Sequence, residues 1–119
     1  MDSKTLQILR RDAEDICRSA IEASVPDAVI QRALAQLPPC QGRTVLVSIG
    51  KAGWQTAKAA YDALGSTIEH GVVVTKYGHS QGPIGGLAIY EAGHPVPDEH
   101  SVRATEAALA AVSGLSARD

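Results

Sequence analysis

Two runs constrain this chain most: Thr44-Val45-Leu46-Val47-Ser48-Ile49 and Gly71-Val72-Val73-Val74-Thr75. Both are short, β-branched and nearly free of polar residues, the mark of strands covered on both faces. Between them Trp54, Ala57, Tyr61 and Leu64 recur at helical spacing, and Gly65 closes that helix. Strand, helix, strand in this order requires a parallel pair with a helical crossover. Leu87 to Glu91 reads as a third, shorter strand, and Asp98 as the N-cap of a last helix. Its stripe is Val102, Thr105, Leu109 and Val112, and it ends near Gly114. The expected fold is α/β, a three-layer Rossmann-like parallel sheet. Aromatics are only 3% of the chain, so Ala, Val, Ile and Leu must fill the core.

A helical lead-in over 1–37 precedes this 43–119 βαβ-type portion. Leu6, Leu9, Ala13, Ile16 and Ala20 form one stripe, with Arg10, Arg11, Glu14, Asp15 and Arg18 off it. Pro26 and Asp27 restart the helix, which runs to about Leu37 before Pro38-Pro39-Cys40-Gln41-Gly42 ends it. With 119 residues a single domain is expected. Three strands make a small sheet, however, and the last helix should lead into a fourth. The domain is therefore expected to be incomplete, with an unpaired sheet edge through which copies could self-associate.

Partners and compartment follow from charge and cysteines. The formal charge is −2 with no basic stripe, which argues against nucleic acid as a partner. Cys17 and Cys40 stand in no CxxC or Cys/His spacing, and four His without such spacing make no metal site. Isolated thiols, the absence of an apolar leader and of any membrane-length apolar run point to a cytoplasmic chain without a membrane partner.

Open α/β sheets bind ligands beyond the carboxyl ends of their strands. Each strand here exits through Gly, Lys or His: Gly50-Lys51-Ala52-Gly53, Lys76-Tyr77-Gly78-His79 and Gly93-His94-Pro95. Glycines alone would only shape turns; the three segments together predict a binding rim. Lys51 opens a helix, where a cation is unfavourable unless an anion sits beside it. The candidates are thus Lys51 as catalytic residue, with Gly50, Ala52, Gly53, Lys76, His79 and His94 binding substrate or phosphate. The turn is neither a P-loop, since Ala52 replaces the magnesium-holding hydroxyl, nor GxGxxG. Ser48-Ile49-Gly50-Lys51 matches SxxK, but within a buried strand the match is read as chance.

The strings Ile49-Gly50-Lys51-Ala52-Gly53-Trp54, Gly71 to His79 (GVVVTKYGH) and Glu91 to Asp98 (EAGHPVPD) resemble the glycerate 2-kinase family of the MOFRL type, whose members are often labelled hydroxypyruvate reductases. The resemblance spans this whole chain and roughly the first quarter of a family member. Gly53 departs slightly, since many relatives carry Ala there. The resemblance implies transfer of the ATP γ-phosphoryl group to the 2-hydroxyl of D-glycerate, with Mg²⁺, in a cleft between two domains. It makes Lys51 the family's GK lysine and leaves Lys76 and His79 as cleft candidates. As an N-terminal portion, the chain is expected to be inactive alone. The alternatives are a hydroxypyruvate reductase, for which no dinucleotide fingerprint follows the first strand, and a non-catalytic sugar-phosphate or small-anion-binding module, since sugar isomerase domains also place GK after a first strand.

Overall fold

The computed structural model describes residues 2–119. Its elements in chain order are α1 (Ser3–Ser24), α2 (Asp27–Leu34), β1 (Thr44–Ile49), α3 (Gly53–Leu64), β2 (Ile68–Lys76), β3 (Ala88–Ala92) and α4 (Glu99–Ala111). All three strands are parallel, in the order β1-β2-β3. The expected α/β architecture is therefore present. β2 is longer than its apolar run because Ile68 already pairs with Thr44, and a register shift follows before His70 pairs with Val45.

The two faces of the sheet are covered differently. On one, Val73 and Ile68 pack with Trp54 and Ala57 of α3, and Tyr61 and Leu64 lie partly buried against them. On the other, His70 Nε2 bonds the carbonyl of Ala111 in α4 at 2.9 Å. Ile84 and Leu87, from the β2–β3 connection, complete the α3-side core. The Gly/Pro-rich segment 81–86, which has no pattern of its own, is thus part of the core through Ile84, 2% exposed. Trp54 fastens it by donating Nε1–H to the carbonyl of Gly82 at 2.7 Å.

Three expectations need correction. The stripe expected to seat α4 faces outward: Val102, Leu109 and Val112 are exposed, while Ala104 and Ala108 are buried. Small side chains let the helix lie close to the sheet, and the larger residues stay free for other contacts. The same holds for α1, which buries none of its residues. It projects from the body and stretches the molecule to 68 × 36 × 20 Å, with a radius of gyration of 19.0 Å. A compact chain of this length would have a radius of gyration of about 13 Å. Finally, β1 is only half-covered, and Ile49 at its end is exposed. The outer edge of β1 carries no strand partner among the described residues.

α4 carries the chain back across the sheet. At its end Arg43 donates from its backbone and guanidinium to Asp119 and from Nη2 to the carbonyl of Gly114. This ties residues 114–119 to the start of β1, away from the strand exits.

Candidate functional site

The strand exits meet in a cavity of about 180 Å³ at the carboxyl end of the sheet. Gly50 and Lys51 line it from β1, Thr75 and Lys76 from β2, and Gly93 and His94 from β3. Ser101 and Thr105 of α4 also line it, but their hydroxyls already donate, to Asp98 Oδ1 at 3.2 Å and to the carbonyl of Ser101 at 2.8 Å. No carboxylate lines it.

The β1 turn is held by its backbone. Gly50 has φ +139°, which a side chain would strain, and its N–H donates to the carbonyl of Val74 at 3.0 Å. Gly53 N–H donates to the carbonyl of Gly50 at 2.9 Å. Thr75, 3% exposed, donates its hydroxyl to the carbonyl of Lys51 at 3.2 Å. These bonds fix the backbone of Lys51 at the edge of the cavity. α1 and α4 start with Asp caps, whereas no side chain caps α3. The positive end of that helix therefore meets no negative group of its own.

The structure separates the sequence candidates. Gly50, Lys51, Lys76 and His94 share the cavity. Ala52 caps α3 and faces a different groove, with Ala20, Ile21 and Gln55. Gly53 is buried under β2, where an added Cβ would lie 2.7 Å from the carbonyl oxygen of Val74. With its N–H spent on Gly50, it shapes the turn and offers no donor. His79 does not line the cavity. Its N–H closes a turn on the carbonyl of Lys76 at 3.0 Å, with Gly78 at φ +74°, the positive φ that the third position of a type II turn requires. That turn sends the chain toward Glu91, whose carboxylate is held below its usual range chiefly by the N–H of Ser80. Ser48 serves the fold as well, bonding the carbonyl of Gly53 at 2.9 Å and Thr56 Oγ1 at 2.6 Å.

Sequence reasoning missed Thr75 and a cluster built on Asp98. Asp98 Oδ1 accepts from the N–H groups of Gly93 at 3.2 Å and Ser101 at 3.0 Å, while Oδ2 accepts the Tyr77 hydroxyl at 2.6 Å. His100 Nδ1 lies 2.9 Å from the same hydroxyl. Only the capping role of Asp98 was legible, because Tyr77 is distant in sequence. The Tyr77 bond, ahead of those from Gly93 and Ser101, holds the Asp98 carboxyl well below the usual carboxylate range. Asp98 in turn pushes the Tyr77 phenol up.

The sign of the linkage is set by the lowered pKa. Ionised Asp98 contributes stability above the unfolded carboxylate value of about 4, and that contribution is lost as pH falls toward its folded value. Asp98→Ser, which keeps a cap, should therefore be less stable than wild type at pH 7. The gap in urea midpoint should narrow steadily below about pH 4. A constant gap down to pH 2 would contradict the assignment.

Comparison with known proteins decides the family. A family described as a domain of unknown function, DUF4147, matches residues 12–119. The chain belongs to the DUF4147 family. A D-glycerate 2-kinase of Thermotoga maritima is 49% identical to this DUF4147 chain over 111 residues, covering 93% of the chain and 26% of the relative. An Agrobacterium vitis relative that carries a hydroxypyruvate reductase name is 41% identical over 119 residues, covering 99% of the chain and 25% of the relative. The crystal structure of a Thermotoga maritima glycerate kinase superposes with a TM-score of 0.81 at 46% identity, covering 95% of this chain and 27% of that one. The chain thus spans about a quarter of the length of the curated relatives it matches. The resemblance read from the three strings holds: this is the DUF4147 portion of the glycerate 2-kinase family.

Proposed function

We propose that this chain supplies the anion-handling wall of a glycerate 2-kinase, which transfers the γ-phosphoryl group of ATP to the 2-hydroxyl of D-glycerate in the cytoplasm. The observation that carries this reading is the cavity lined by Lys51, Lys76 and His94 with no carboxylate among its walls. Two lysines on the lining of one small cavity bring positive charge to it that an anion would offset. Glycerate and the phosphates of ATP are such anions. Phosphoryl transfer asks mainly for positioning and for charge placed where the transition state needs it. Lys51, on a stem fixed by Val74 and Thr75, suits the transferring group. Lys76 and His94 suit the glycerate carboxylate or the phosphate left after transfer.

Magnesium does not fit these residues. It takes oxygen ligands, commonly one or two carboxylates with the substrate phosphates, and the cavity supplies none. Among the described residues no group of three His, Cys, Asp or Glu is placed to hold a metal. No helix among them is long and apolar enough to cross a membrane.

A reductase is less well supported despite the name one relative carries. The β1 turn holds a lysine where a dinucleotide would need close backbone approach over glycines. The test is a graft: residues 1–119 replace the matching quarter of the Thermotoga maritima D-glycerate 2-kinase. The graft should form 2-phosphoglycerate from glycerate and ATP, and should not oxidise NADH with hydroxypyruvate. A folded graft without kinase activity would remove the proposal.

A further inference from the structure

A helix cap needs one acceptor oxygen, yet Asp98 uses both of its own. Oδ1 serves the start of α4 through Ser101 and also takes the Gly93 N–H, next to His94 on the β3 exit. Oδ2 takes the hydroxyl of Tyr77, next to Lys76 on the β2 exit. Only a carboxylate offers two acceptor atoms and no donor in this arrangement. Tyr77 is further fixed by His100, 2.9 Å from its oxygen and with its ring edge-on at 5.9 Å between centroids. Gly93 is close enough to the clamp that an added Cβ would lie 3.1 Å from Asp98 Cγ. The cluster touches the two walls of the cavity but does not line it at Tyr77, Asp98 or His100.

We propose that Tyr77 and Asp98 are positioning residues: their bond holds the β2 and β3 exits together and so sets the spacing of Lys76 and His94 across the cavity. The inference rests on the anion-handling reading above for its consequence, but not for the clamp itself. Both partners are exposed at the rim, where their contact adds to stability while Asp98 is ionised and also sets the relative placement of the two exits.

Tyr77→Phe tests this cleanly, because it deletes one oxygen and leaves the Asp98 cap and the Gly93 bond in place. Isotope-labelled chain is compared by NMR with and without inorganic pyrophosphate as probe. Without ligand, Tyr77→Phe should shift the side-chain signals of Lys76 and His94, leave those of Lys51 in place, and raise the pH at which the Asp98 carboxyl titrates. With pyrophosphate, affinity should fall about fivefold, the lower end of the effect that one site has on the affinity of another coupled to it. Asp98→Ser should reproduce the Lys76 and His94 shifts, since it too breaks the link while keeping a cap. Unmoved Lys76 and His94 signals, or an unchanged pyrophosphate affinity, would overturn the inference. If wild type ignores pyrophosphate while the signals still move, the clamp stands and the anion-handling reading fails.

Discussion

Trp54→Ala should lower the unfolding free energy by about 4 kcal/mol, the usual range for removing a buried aromatic from a core. Trp54 is 8% exposed and sits at the centre of the α3-side core with Val73, Ile84 and Leu87. Its loss leaves a cavity that alanine-rich neighbours cannot refill, because Ala57 and Ala60 have no rotamers with which to reach it. It also frees the carbonyl of Gly82, which now accepts the indole N–H. The loop that delivers Ile84 would then be held at one point fewer, so its amides should lose exchange protection before those of β2. Trp54→Phe separates the two contributions: it keeps most of the ring and should cost only about 1–2 kcal/mol. Urea denaturation followed by far-UV circular dichroism reads both variants, since the chain has a single Trp and fluorescence would be lost. A cost below 1 kcal/mol for Trp54→Ala would mean that the 81–86 segment is not packed as described.

The contrast between α3 and the other helices shows what a sequence can and cannot convey. Trp54, Ala57, Tyr61 and Leu64 marked the sheet-facing side of α3 correctly because their partner, the apolar face of β1 and β2, lies within the chain. Val102, Leu109 and Val112 on α4 carry the same period but are exposed. Periodicity reports that a helix has an apolar face and is silent on what covers it. The sheet-facing side of α4 is made of alanines, whose signal is weak because alanine suits any helical position. The candidate site was legible to the extent that its cavity lies next to strand ends: Gly50, Lys51, Lys76 and His94 line it from where β1, β2 and β3 stop. His79 lies off that cavity because one glycine, Gly78, turns the chain away within two residues. Thr75 and the Tyr77–Asp98 bond were invisible, since each depends on contact between segments more than twenty residues apart.

Lys51→Ala in the kinase graft should reduce kcat by about 10²–10³ with little change in fold, the size of effect seen when one preorganised donor to a developing charge is removed. The expectation follows from how the residue is held. Its carbonyl is fixed by Thr75 and the preceding residue by Val74, so the backbone that carries the ammonium is already in place when the reaction occurs. The same rigidity explains why the fold should tolerate the change: the bonds that shape the turn are all made by backbone atoms of residues 50, 51 and 53, and the side chain itself is exposed. Lys51→Arg gives a sharper test. Arginine keeps the charge but replaces a compact ammonium by a wide fork, in a cavity of only about 180 Å³ shared with Lys76 and His94. It should restore ATP binding more than turnover, so that KM for ATP recovers while kcat stays at least tenfold low. If Lys51→Ala instead raised KM for both substrates and left kcat unchanged, Lys51 would be binding ground state and transition state alike. The proposed role of stabilising the transferring phosphoryl would then pass to Lys76, the other lysine that lines the cavity.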